Sequence, residues 1–145
     1  MQGQSSTLCL ACGLCCTGAL HGAVEVKAEH AAQVRLLGLV VETVNGRQAF
    51  RQPCPLFAGG RCGEYARRPP SCEEFRCTLL RRLERGDVDL PGALALAAEA
   101  RSLIAQGAAL HLEKDNTSPE QLLLAASLDV LLSRHFQEPV IPCAE

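Results

Sequence analysis

A chain of 145 residues has the size of one ordinary domain and buries roughly 70% of its unfolded surface, so it needs no cross-links merely to fold. Its nine cysteines, against no Trp, one Tyr and four Phe, therefore call for another explanation. A formal charge of -2 and a pI near 6.1 count against a protein that works by neutralising phosphates, because that affinity comes from an excess of Lys and Arg.

Residues 1–8 have neither a basic flank nor an apolar run, so no secretory signal is expected and the segment reads as a flexible tail. A cysteine-cluster domain is expected over residues 9–86. In it Val24 to Val26 alternates like a short strand, and Ala28 to Leu37 has the composition and spacing of a short helix. Leu39 to Val44 and Arg47 to Arg51 flank Asn45-Gly46, the pair that supplies the positive φ angles of a type I′ hairpin turn. Residues 53–72 are dense in Pro, Gly and Cys, which predicts a loop held by something other than regular hydrogen bonding. Glu73 to Arg85 then reads as a helix stopped by Gly86.

Residues 87–145 are expected to form a helical extension packed on that domain. One helix should run from Leu90 or Pro91 to about Gln106, with Gly107 just past its end. Another begins at a capping box, with Ser118 as N-cap, Pro119 at N1 and Gln121 at N3. Its Leu124, Leu128, Leu131 and Leu132 share a face, expected to pack in the core, with a dimer or partner surface as the alternative. The fold expected is mostly α with a small β-hairpin: an irregular cysteine-rich, metal-stabilised N-terminal half plus C-terminal helices.

Eight cysteines fall between positions 9 and 77, and Cys143 stands apart. With no charge-free apolar run of about 18 to 20 residues to cross a bilayer, a cytoplasmic protein is expected, with neither membrane nor nucleic acid as partner. Thiols stay reduced there, so dense cysteines point to metal binding or catalysis over a disulfide framework, and the Asn116-Thr117-Ser118 sequon has no use. Cys9-x2-Cys12-x2-Cys15-Cys16 repeats the step that lets a tight turn aim two sulfurs at one metal. On an extended backbone Cys15 and Cys16 would diverge, which suggests ligands shared between two metals or the poles of a cluster. Cys54, Cys62, Cys72 and Cys77 complete a set of eight, enough for two four-thiolate sites or one larger cluster. Arg61, Arg67, Arg68 and Arg76 are interleaved with that second run, and one or two of them are expected to bond to coordinated sulfur and offset its charge.

These residues resemble the YkgJ-type, or CxxCxxCC, family of zinc- or iron-chelating domains. The resemblance rests on CLACGLCC at 9–16, Cys54-Pro55-Leu56-Phe57, Cys62-x2-Tyr65-x2-Arg68-Pro69-x2-Cys72, and Phe75-x-Cys77 with Leu79-Leu80. It spans residues 9 to about 80. Glu73 departs from it, standing where the family commonly has Arg. The resemblance implies a metal-binding cysteine cluster protein, holding zinc or an iron-sulfur cluster on Cys9, Cys12, Cys15, Cys16, Cys54, Cys62, Cys72 and Cys77; the excess of Arg over Lys, 12 to 2, points to a bacterial source. The family is similar to the cysteine-rich part of a bacterial flagellin lysine methylase, which looks like an iron-sulfur enzyme. An iron-sulfur enzyme or electron-transfer accessory in protein modification is therefore the first alternative, and a metal carrier or sensor the second.

Within the motif, Arg68-Pro69 is expected to set the turn that presents Cys72, and the Tyr65 ring to cover the site. No His-x3-His or HExxH spacing, glycine-rich phosphate loop or paired-carboxylate pattern is present, so hydrolase, kinase and dehydrogenase readings lack their parts. No catalytic residue is assigned.

Overall fold

The structure is a computed structural model and describes residues 2–113 and 118–137; Cys143 and the sequon's Asn116 and Thr117 lie outside the described residues. Among the described residues six α-helices and small sheets of two and three strands give a mostly helical fold with a small hairpin, as expected. The chain divides into two compact units, Cys9–Arg76 and Met1–Leu8 with Cys77–Glu145.

In the Cys9–Arg76 unit, strand β1 (Ala23–Glu25) is followed by a 3-10 turn (Ala28–His30) and helix α2 (Ala31–Leu36). Strands β2 (Glu42–Val44) and β3 (Arg47–Arg51) form the expected hairpin, turning through Asn45 and Gly46 at φ 51° and 79°. β3 is central in the antiparallel order β1-β3-β2. The sheet and α2 enclose Val26, Ala31, Val34, Leu39, Phe50 and Cys54, with Cys16, Leu56, Phe57 and Cys72 packed against that core. Burying a side chain such as Phe50 or Val34 contributes about 1.5–3 kcal/mol. The apolar core thus includes one motif cysteine, Cys54, and meets two more, Cys16 and Cys72.

The 53–72 segment is irregular, as its composition demands, yet holds a second hairpin that the sequence reading left as loop. β4 (Phe57–Ala58) and β5 (Arg61–Cys62) pair across Gly59-Gly60, both with positive φ. A 3-10 turn (Tyr65–Arg67) and helix α3 (Pro70–Glu74) follow. The Ser71 hydroxyl, on α3, donates to the Glu25 carbonyl at 2.6 Å and ties α3 to β1.

In the other unit, helix α1 (Gln2–Cys12) covers residues 2–8, which composition had assigned to a tail. Burial of Leu8 and a 3.2 Å bond from the Ser5 hydroxyl to Glu84 secure it. The helix expected over 73–85 is broken in two. Phe75 and Cys77 are extended, and α4 (Thr78–Arg85) starts afresh with the Cys77 sulfur accepting from the Leu80 N–H at 3.4 Å. α4 buries Leu79, Leu80 and Leu83 and closes on left-handed Gly86. Helix α5 (Leu90–Glu113) is capped where Asp89 accepts from the Gly92 N–H at 2.8 Å. It runs through Gly107 instead of ending there, since one glycine costs a helix only about 1 kcal/mol and its Ala-rich flanks propagate well. Helix α6 (Pro119–His135) has the expected capping box in full. Leu131 and Leu132 are buried against the α5 side, with Leu124 and Leu128 half-buried, so that face serves packing.

Candidate metal centre

Helix α1 carries Cys9 and Cys12 three residues apart, hence on one face. It stops at Gly13, whose N–H still donates to the Cys9 carbonyl at 3.2 Å. Gly13 has φ 64°, and a Cβ there would sit 2.5 Å from the Phe57 ring. The chain then coils tightly, the Thr17 N–H reaching back to the Gly13 carbonyl at 3.1 Å. This backbone is a turn and not extended, so the expectation that these neighbours point apart loses its premise, and each thiol shifts the other's ionisation.

Backbone contacts bring the second cysteine run to this pair. The Cys54 N–H donates to the Cys16 carbonyl at 2.8 Å, and the Phe57 N–H donates to the Cys54 carbonyl at 3.0 Å. Phe57 lies opposite Cys62 in the β4–β5 register. The Cys72 N–H donates to the Pro69 carbonyl at 2.9 Å, so Arg68-Pro69 sets the turn that presents Cys72. Gln52 was not singled out by the sequence reading. Its Nε2 donates to the Cys15 carbonyl at 2.8 Å, while its buried Oε1 has no partner among the described residues. No spacing rule could have found it.

The thiols respond to one another's charge. Burial pushes the Cys72 thiol up to about 12, and the charges of Cys15, Cys54 and Cys62 add to the effect. Burial also raises Cys54, with further contributions from Cys62 and Cys15. Cys16 is pushed far up, first by its hydrogen bond to Cys15, then by burial and the charges of Cys15, Cys62 and Cys54. Cys15 is the exception, lowered to about 7 chiefly because Cys16 donates to it, with a smaller contribution from the Arg68 guanidinium. Cys15, Cys16, Cys54, Cys62 and Cys72 therefore form one group drawn from three stretches of chain.

Of the four interleaved arginines, Arg68 brings its charge to these thiols, at Cys15 and Cys72. It is held 4.0 Å over the Tyr65 ring and donates to the Tyr65 carbonyl at 3.0 Å. Tyr65, expected to cover the site, thus supports the arginine. Arg67 pairs with Glu64, and Arg76 donates to the carbonyls of Glu73 and Phe75. Cys77 belongs to the other unit, where its sulfur caps α4. His21 packs edge-on against Phe75, ring centroids 5.1 Å apart.

Among the described residues, no three Cys, His, Asp or Glu side chains already stand in a metal-holding arrangement. The fit to a metal is therefore tested on the chemistry of the donors. They are soft sulfurs, the class that suits zinc and iron clusters. Cys16, Cys54 and Cys72 also sit where burial and neighbouring thiolate charge oppose ionisation, the condition a bound cation reverses. The eight described cysteines stand as thiols, the form in which loss of a proton makes a ligand. On these grounds the residues fit the group.

The model of the CxxCxxCC family, described as "Putative zinc- or iron-chelating domain", matches residues 8–93. No curated protein and no solved structure matches the chain.

Proposed function

The chain belongs to the CxxCxxCC family, and from that premise we propose that it binds zinc or iron through the thiolates of Cys15, Cys16, Cys54, Cys62 and Cys72. Cys9 and Cys12 extend the donor set from α1, and Cys77 is assigned to helix capping. One observation carries the reading: burial and neighbouring thiolate charge raise Cys16, Cys54 and Cys72, which come from separate stretches of chain, so these three are at rest only when protonated or when a cation compensates them. Bound zinc would supply a redox-inert cross-link, and bound iron an electron-transfer centre.

On this reading the protein's own residues hold and balance the metal. The turn at Gly13 brings two sulfurs together, β4–β5 and the Pro69 turn bring three more, and the metal joins the N-terminal motif to residues 53–72. Arg68, steadied by Tyr65, offsets part of the negative charge that thiolates leave on a divalent ion. Reduced thiols suit a cytoplasmic site. A second reading, an iron-sulfur cluster serving electron transfer or protein modification, is favoured by the donor count, since one tetrahedral zinc takes four ligands and the group offers five or more.

Anaerobic purification followed by elemental analysis and a visible spectrum tests both. A colourless protein with stoichiometric zinc supports the structural site, and a brown one with iron and acid-labile sulfide supports the cluster. A protein that carries no metal and takes up neither zinc nor ferrous iron with sulfide removes the proposal.

A further inference from the structure

We propose that two copies of the chain associate about a two-fold axis crossing helix α6, each inserting its Leu122 and Leu123 into a groove of the other. The apolar residues of α6 are not confined to its inner face, and an apolar outer face is normally covered. Its inner face, with Leu131 and Leu132, is buried, yet Leu122, Leu123 and Val130 remain 56%, 69% and 55% exposed. Leu122, Ala126 and Val130 follow one another at four-residue intervals, with Leu123 beside them, so they form one continuous outer stripe.

The relief of this stripe identifies the occupant. Its N-terminal end projects two exposed leucines. Its C-terminal end borders a groove of about 530 Å3 between α5 and α6, lined by Leu96, Ala126, Val130 and Leu131, with Glu99 and Arg134 among its polar groups. Projection and recess thus lie on one helix, the recess beginning at Ala126 and Ser127. An antiparallel pair crossing there sets Leu122 and Leu123 of one copy at the level of Val130 and Leu131 of the second copy, and the reverse. That reciprocity is what an isologous contact requires. Ala126 at the crossing lets the axes approach to about 8–10 Å.

Charge agrees with this direction. α6 carries Glu120 in its first turn and Arg134 in its last. Antiparallel pairing sets each Glu120 at the level of Arg134 of the other copy, whereas parallel pairing would oppose like charges. The contact involves none of the cysteines, so it stands apart from the metal reading.

Sedimentation equilibrium on the full-length chain, as purified with whatever metal it holds, tests the proposal. The wild type should be a dimer at micromolar concentration, and Leu123→Asp a monomer with an unchanged helical circular dichroism signal. Should Leu123→Asp fail to fold, the charge pair decides. Arg134→Glu should raise the dimer Kd about fivefold or more, by roughly 1 kcal/mol of lost pairing, and Glu120→Arg combined with Arg134→Glu should restore it. A wild type that is monomeric at all concentrations overturns the proposal. So does a dimer whose Kd is indifferent to both the Leu123 change and the charge reversal.

Discussion

Gly13 meets two demands at once: a left-handed backbone at φ 64° and a ring of Phe57 lying where any Cβ would be. Gly13→Ala should therefore cost about 2–4 kcal/mol, combining the left-handed penalty with overpacking, read as a lowered urea midpoint. An unchanged midpoint would mean the turn does not hold the two cysteine runs together. The cysteines separate by role at the same scale. Cys77→Ala should lower stability by about 0.5 kcal/mol, the low end for a lost cap because sulfur is a weak acceptor, and leave metal content intact. Cys77→Ala protein purified without metal would return Cys77 to the ligand set. The sequence made the ligand candidates legible, because C-x2-C steps have few other uses. It did not make legible that the chain turns at Cys15 and Cys16, since the torsions of that pair follow from no spacing, nor the part of Gln52, whose contact is to a backbone carbonyl 37 residues away in sequence.

Elements announced by local chemistry were readable in advance. Asn45-Gly46 specifies its turn, and the Ser118/Gln121 box specifies the start of α6. Ser118→Ala should cost about 1 kcal/mol, measured as a lower thermal midpoint of the helical signal, and a midpoint equal to wild type would show that α6 is fixed by packing alone. Elements decided by tertiary context were not readable. The helix expected over 73–85 breaks at Phe75–Cys77, where helix formers on both sides hide the interruption. α5 crosses Gly107 because the penalty of one glycine is spread over a long helix. The leucine stripe read from periodicity is the packing face of α6, and its outer stripe was hidden within the same apolar run.

For the molecule as a whole, the thiol group makes stability and metal binding depend on pH in opposite ways. In the metal-free chain Cys72 is raised from its ordinary 9.0 to about 12, so the native state holds that proton more tightly than the unfolded one. Its stabilising contribution is complete below pH 9 and is lost as pH rises through 12. Cys15, lowered to about 7, contributes in the other sense: its stabilisation is present above pH 9 and lost as pH falls through 7. The metal-free chain should thus weaken above pH 9. Metal affinity should rise with pH from about 7 to about 12, the span of these two thiols, because ligation displaces thiol protons. Calorimetric titration with zinc in buffers of different ionisation enthalpy measures the protons released. Release of none would contradict thiolate ligation.

The most direct test is pulsed alkylation of the anaerobically purified, metal-bearing chain, mapped by peptide mass before and after a chelator. Cys15, Cys16, Cys54, Cys62 and Cys72 should resist the reagent while metal is bound and become reactive together when it is removed. Reactivity at those positions in the metal-bearing protein, or a pattern unchanged by chelation, would contradict the account.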